Sequence, residues 1–259
     1  FQYIRKTIFP ELEPLQMDVE TYEAYQEFTE VIDPETLEKL KRVQDENPKL
    51  QELIKRLIET GKGIEQECFL MKLMIASDIH GSAYYCRKML EAYDGEKADK
   101  LLLLGDILYH GPRNDLPKEY APKEVIAMLN ARKQELLCVR GNCDTEVDQM
   151  VLEFPILADY CFLNLDGQNI YATHGHVWNP GKLPMLKAGD ILLNGHTHIP
   201  ACEKIHTEAD QSVMYMNPGS VSIPKENSEH SYMICENGVF EWKNLEGEGY
   251  QIWKRDTRC

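Results

Sequence analysis

Lys72-Leu73-Met74-Ile75-Ala76-Ser77-Asp78-Ile79-His80-Gly81 is an apolar run that stops abruptly at polar residues and a glycine. So short a run, ended in this way, suits a strand buried on both faces, as in a parallel sheet. Asp78 and His80 then sit at its carboxyl end, where open α/β sheets place their ligands. Residues two apart in extended chain point the same way, so a carboxylate and an imidazole project together. The pair alone is a weak signal, because Asp-x-His arises by chance. Its weight depends on how the rest of the chain answers it.

From Lys72 onward strands alternate with helices. Ser82 to Ala92 reads as a helix, Leu101 to Leu104 as a second apolar strand ending in Gly105-Asp106, and Lys123 to Asn130 as a helix after Pro122. A third strand, Leu136 to Val139, ends in Arg140-Gly141-Asn142-Cys143-Asp144, and Thr145 to Leu152 reads as a short helix. The texture then turns to hairpins. Tyr160 to Leu165 and Asn169 to Thr173 flank Asp166-Gly167, a two-residue turn signal. Ile191 to Leu193 is apolar and ends in Asn194-Gly195-His196-Thr197-His198. Strand-like stretches follow at Val213 to Met216, Tyr232 to Cys235 and Val239 to Trp242, with Asn237-Gly238 between the last two. Strand-helix alternation followed by antiparallel strands predicts two sheets packed as layers with helices outside.

Residues 1 to 70 differ in texture. Asp33-Pro34 and Asn47-Pro48 each place a capping side chain before a proline suited to the first helical position. Apolar residues then recur at helical spacing up to Gly61 and Gly63. We read an acidic helical extension without histidine, which packs on the domain or on a partner, followed by a domain over residues 71 to 259 that could start at Met71.

The net charge of −15 argues against non-specific binding to nucleic acid or to an anionic membrane. It leaves room for a phosphate held by metal ions, because local cations override the overall sign. No apolar run is long enough to span a membrane, and the first residues lack the apolar segment of a signal peptide. Eight cysteines without Cys-x-x-Cys spacing read as reduced thiols of a cytoplasmic protein.

Five polar clusters thus end five apolar strands: Asp78-x-His80, Gly105-Asp106, Gly141-Asn142, His174-Gly175-His176 and Gly195-His196-x-His198. Any one of them has a plain structural explanation, such as a capping amide, a satisfied imidazole or a turn glycine. Together they supply the carboxylate, amide oxygen and imidazole donors that a pair of divalent first-row metals takes. Two such ions about 3.5–4 Å apart form a clamp for in-line attack at phosphorus.

The order Asp-x-His, Gly-Asp, Gly-Asn-x-Asp, His, Gly-His-x-His resembles the calcineurin-like metallophosphoesterase superfamily, from Met71 to the later strands. His110 to Asn114, Val139 to Met150 and Asn217 to Lys225 are similar to the small bacterial YfcE-type phosphodiesterases. The resemblance implies a four-layer α/β/β/α sandwich. It also implies one ion held by Asp78, His80, Asp106 and His198 and a second by a bridging Asp106, Asn142, His174 and His196. Mn²⁺ is the expected ion, and Fe, Zn, Co or Ni suit the same donors. The nucleophile would be water or hydroxide bridging the ions, attacking a small phosphodiester without a covalent intermediate.

Many members of the superfamily have histidine after the Gly-Asn, and this chain has Cys143. A thiol is a poor acid at neutral pH and offers the phosphate no charge. Diesters with good leaving groups, such as aryl esters, are therefore the expected substrates. His176 is the candidate proton donor or phosphate contact, and Arg113 and Arg140 are candidates for holding the phosphate. Asp144, His110 and Tyr109 are weaker candidates. His206 and His230 read as surface residues, and Asn217-Pro218-Gly219 as a structural turn. The rival functions are a phosphomonoesterase or protein phosphatase, and a non-catalytic interaction scaffold on the same fold. The resemblance also implies homo-oligomers, and residues 1 to 70 could recruit a partner of their own.

Overall fold

The computed structural model describes residues 71–207 and 209–255, so the expected helical extension lies outside the described residues. Two mixed sheets form the body. The first has the order β11-β10-β9-β1-β2-β3 and the second β4-β5-β6-β8-β7. β1 (Leu73–Ala76), β2 (Lys100–Leu103) and β3 (Leu136–Cys138) run parallel. β9 (Ser231–Glu236) pairs antiparallel with β1, and β10 (Val239–Asn244) and β11 (Gly249–Lys254) continue the meander to the edge. In the second sheet β5 (Gln168–Ala172), β6 (Ile191–Leu193) and β8 (Ser212–Asn217) are parallel. β4 (Cys161–Leu165) and β7 (Ala201–His206) flank them antiparallel. Each sheet therefore has three adjacent parallel strands, at one edge of the first sheet and in the middle of the second, and the polar clusters follow the carboxyl ends of those strands.

Strict alternation along β1 and β2 divides the core in two. Met74, Ala76, Leu101 and Leu103 pack with Cys86, Met89, Val125 and Leu129 of the helices. Leu73, Ile75, Leu102 and Leu104 face the other way, onto Ile170, Ala172, Ile191, Leu193 and Met216 of the second sheet. A strand buried on both sides has no polar position to spare, which is why these runs are apolar throughout. Helix α1 (Ala83–Glu96) starts at Ser82, whose Oγ accepts from the Tyr85 N–H at 3.2 Å. It ends at Lys97, which takes a left-handed backbone. It passes the expected end at Ala92 because Tyr93 falls on the same buried face as Cys86, Met89 and Leu90. Helix α2 (Pro122–Asn130) begins on its proline, and α3 (Glu146–Gln149) opens in a capping box between Thr145 and Asp148.

The layering of two sheets with helices outside is as expected on the first sheet. Among the described residues no helix follows Gln149, and strands alone build the second sheet's inner packing. No helix of the described residues is long and apolar enough to cross a membrane. Trp242 crosses the interface between the sheets: its indole N–H donates to the Asn217 carbonyl at 2.7 Å, tying β10 to the end of β8. The expectation of a surface His230 is corrected. It is half-buried, stacks on Tyr85 at 3.9 Å between ring centres, and hydrogen-bonds the Val221 carbonyl at 2.8 Å. Its isolation from any motif concealed a packing role.

Candidate metal centre

The loops after β1, β2 and β3 meet those after β5 and β6 where the two sheets' parallel strands end. Backbone hydrogen bonds lock the first two together: Asp78 N–H donates to the Gly105 carbonyl at 3.1 Å and His80 N–H to the Asp106 carbonyl at 2.9 Å. Asp144, fully enclosed, accepts three backbone N–H groups, from Asp106 (2.8 Å), Ile107 (2.9 Å) and Gly141 (2.7 Å). Asp106 in turn accepts from Cys143 N–H at 2.8 Å. Two glycines permit this crowding. A Cβ on Gly141 would strike Asp106, and one on Gly195 would strike Ser77 and Asp78 across the sheet interface. Asp78, His80, Asp106, His196 and His198 all take positive φ, between 49° and 66°. This conformation is disfavoured for non-glycine residues, and here the network of bonds around it imposes it.

The side chains converge as two groups that share one carboxylate. In the first, His80 Nε2 lies 3.6 Å from Asp78 Oδ1, 3.7 Å from Asp106 Oδ2 and 3.2 Å from His198 Nε2. His198 Nε2 is 3.3 Å from Asp78 Oδ1. In the second, His174 Nε2 lies 3.4 Å from Asp106 Oδ2, 3.1 Å from Asn142 Oδ1 and 3.2 Å from His196 Nδ1. Both groups meet at Asp106 Oδ2.

Whether these atoms suit cations can be tested on their own hydrogen bonds. His80, His174 and His198 each give the Nδ1 proton to a backbone carbonyl: Tyr109 at 2.7 Å, Leu104 at 2.7 Å and Ile223 at 2.6 Å. Their Nε2 atoms are then lone-pair acceptors in the neutral rings. Two such acceptors face each other at 3.2 Å in the His80–His198 pair, and His174 Nε2 faces the Asn142 oxygen. Only a positive species between them, a metal ion or a proton, removes the repulsion. Asp78 Oδ1 points into the same space, buried and without a hydrogen-bond partner. The donor set fits divalent ions, and the carbonyls behind the imidazoles supply the outer bonds that orient metal-binding histidines.

The charges tell the same story. Burial opposes ionisation of Asp78, but His198 and His80 outweigh it and hold the carboxyl well below its ordinary range. Asp106 is also held down against burial, chiefly by His174. Burial works against the His174 imidazolium, yet Asp106 and Asp78 raise it to about 9. His196, half-buried beside His174, is pushed down to about 4 by burial first and by that neighbour second. Without metal, a proton on His174 serves where a cation would.

A cleft of about 430 Å³ opens over these atoms, lined by His80, Asp106, Asn142, Cys143, His196 and His198, with Arg113 and Lys225 among its other walls. Of the residues expected to contact substrate, Arg113 and Cys143 line it. Burial, then Asp106, push the Cys143 thiol up, so it stays neutral. The structure does not bring Arg140 or His176 into this lining. Arg140 turns to the Asp144 carbonyl (3.3 Å) and to Glu146 (3.5 Å), and so braces the loop from behind. His176 is exposed, its ring centre 5.4 Å from that of His174, and burial followed by the charge of His174 lowers its basicity.

Several residues matter more than their sequence context suggested. Asp144 organises two ligand loops. Asn217, read as a turn residue, donates to the Gly195 carbonyl at 2.7 Å and to Thr197 Oγ1 at 3.0 Å, while its oxygen accepts from Gly219 N–H. It therefore sets the loop that carries His196 and His198. The Ser220 and Ser222 hydroxyls both donate to the Asp78 carbonyl, at 3.1 and 2.9 Å. The only signal for these roles was their place in short polar motifs beside glycine and proline.

Comparison with known proteins agrees with the architecture. The model of the calcineurin-like phosphoesterase superfamily domain matches residues 71–237. The chain is 46% identical over 170 residues to Phosphodiesterase YfcE of Escherichia coli strain K12, covering 66% of this chain and 90% of that protein. It is 28% identical over 158 residues to Phosphodiesterase MJ0936 of Methanocaldococcus jannaschii, covering 58% of this chain and 83% of that one. Among solved structures, YfcE, a phosphoesterase from E. coli, superposes with a TM-score of 0.66 at 43% identity, over 71% of this chain and 98% of that chain. The chain belongs to the calcineurin-like phosphoesterase superfamily.

Proposed function

We propose that the chain is a metal-dependent phosphodiesterase whose centre takes two divalent ions. The observation that carries this reading is the pair of donor groups joined at Asp106 Oδ2 on the floor of the cleft. The 46% identity to a protein named as a phosphodiesterase supports the choice of substrate class. Asp78, His80, Asp106 and His198 would hold one ion, and Asp106, Asn142, His174 and His196 the other. A shared carboxylate lets two cations approach each other, and Asn142 adds an oxygen without adding negative charge. The nitrogen and oxygen donors suit Mn²⁺, which we take as the working ion.

When bound, such ions lower the pKa of water and take up charge on phosphoryl oxygens. The protein's own contribution is orientation. The carbonyls of Tyr109, Leu104 and Ile223 fix three imidazoles, Asp144 fixes the Asp106 and Gly141 loops, and Arg113 adds a cation to the cleft wall. Cys143, neutral and beside Asp106, neither protonates a leaving group nor carries a charge to phosphate. That wall supports the reading that water attacks directly and in line on diesters with good leaving groups. Among the described residues six cysteines are free thiols, which accords with a cytoplasmic setting.

The test is hydrolysis of an aryl phosphodiester and its matching monoester by protein stripped with chelator and resupplied with Mn²⁺. We expect diester turnover to exceed monoester turnover and to vanish in His196→Ala. A monoester preference would make the protein a phosphomonoesterase, and absence of both metal uptake and turnover would leave a scaffold.

A further inference from the structure

The chain is strongly acidic, yet the charged side chains on the cleft wall beyond the ligands are both cationic, Arg113 and Lys225. Among the described residues neither forms an ion pair or a side-chain hydrogen bond, whereas Arg87, Lys88, Arg132 and Lys133 each face a carboxylate. Both stand on segments the structure holds firmly. The Lys225 N–H donates to the His198 carbonyl at 3.2 Å, and its own carbonyl accepts from Ser228 N–H at 3.0 Å and from the Ser228 hydroxyl at 2.6 Å. The Asn114 amide beside Arg113 donates to the His110 carbonyl at 2.9 Å. These two segments also contain Ile223 and Tyr109, whose carbonyls orient His198 and His80. The two cations therefore line the cleft from segments that brace the same half of the centre. Among the described residues no Phe, Tyr or Trp side chain lines the cleft, so they offer a nucleobase no stacking platform there.

We propose that Arg113 and Lys225 form a second anion subsite next to the His80–His198 half, selecting phosphodiesters that carry a further anionic group on one ester arm. This deepens the phosphodiesterase reading and rests on it. The scissile diester has a single negative charge, which the metal centre meets. A second phosphate or carboxylate would otherwise enter an acidic protein unaided, and these two side chains supply the local field that reverses this. Arg113 offers a fork to two oxygens, and Lys225 a point charge at the end of a long stem.

The experiment uses the manganese-loaded full chain and three 4-nitrophenyl diesters whose other ester arm ends in methyl, carboxylate or phosphate. We expect kcat/KM for the two anionic arms to exceed that for methyl by roughly five- to tenfold at low salt, through KM, and the advantage to shrink at about 0.5 M salt. Lys225→Ala should reduce the ratio, and Lys225→Glu should bring it below one. Arg113→Lys should retain more of the preference than Arg113→Ala, with circular dichroism confirming that each variant folds. A preference for phosphate alone would assign the subsite to phosphate, and equal gains would assign it to anions generally. Calorimetric binding of the product-like alkyl phosphates, with and without a carboxylate, reads the subsite without turnover. Equal affinities there, or a ratio unmoved by Lys225→Glu, overturn the subsite while leaving the phosphodiesterase reading intact. No turnover of any of the three diesters overturns that reading instead.

Discussion

Asp144 shows how a residue that need not touch an ion can govern a metal centre. Burial pushes its carboxyl above the ordinary range, and three backbone N–H groups work against that shift. Asp144→Asn would leave one of those N–H groups facing an amide NH₂. We expect a loss of about 1–3 kcal/mol in urea unfolding and a drop of about 10–100-fold in Mn²⁺ affinity by calorimetry. The ligand histidines make a second prediction, about protons. His174 is raised to about 9, so in the metal-free protein it is protonated at neutral pH, and an ion must displace that proton. Affinity should therefore climb as pH rises towards about 9 and flatten above it. His196, lowered to about 4, adds no proton competition in that window. Competition against a coloured chelator across the range checks this, and a flat profile would mean that neither His174 nor His80, which Asp78 also raises against its burial, gives up a proton to the ion.

At the level of elements, legibility followed burial. β1, β2, β3 and β6 are enclosed on both faces, and each was plain in the sequence to within about a residue. The two hairpin turns were equally plain. Asp166 and Asn237 take φ of 51° and 53°, the conformation that Asp-Gly and Asn-Gly signal. β7 and β11 went unread because their patterns are too polar or too broken to alternate cleanly. The candidate ligand residues stand out because they end apolar runs, whereas of the site's supports Asp144 was only a weaker candidate and Asn217 read as a turn. Their partners are backbone atoms from distant loops, and a backbone atom leaves no trace in the identity of the residue that bears it. Trp242 belongs to this hidden class. Trp242→Phe keeps most of the apolar bulk between the sheets but removes the donor to the Asn217 carbonyl. We expect a cost of about 1–3 kcal/mol in thermal or urea unfolding, with a smaller loss of Mn²⁺ affinity passed through the Gly195–His198 loop.

For the molecule as a whole, the centre acts as a clasp between the sheets. Asp78, His80, Asp106 and Asn142 follow strands of the first sheet, and His174, His196 and His198 follow strands of the second. Direct polar ties across that interface include His196 N–H to Asp78 Oδ2 at 3.1 Å and the Trp242 bond, while the apolar cluster between the sheets does most of the holding. Ions seated among those ligands would bind the folded chain and not the unfolded one, where the seven residues are scattered over 121 positions from Asp78 to His198. At free Mn²⁺ about 100 times its dissociation constant, one such site stabilises by about 2.7 kcal/mol. For a domain of this size that corresponds to a fall of roughly 5–10 °C in Tm on chelation. His196→Ala removes one ligand from the second half alone, so it should lose part of the metal-dependent increment and keep the rest. Differential scanning calorimetry of both proteins, with and without chelator, checks this. A Tm indifferent to Mn²⁺ in the parent chain would mean that the sheets are held by their apolar interface and that the seven ligands are no clasp.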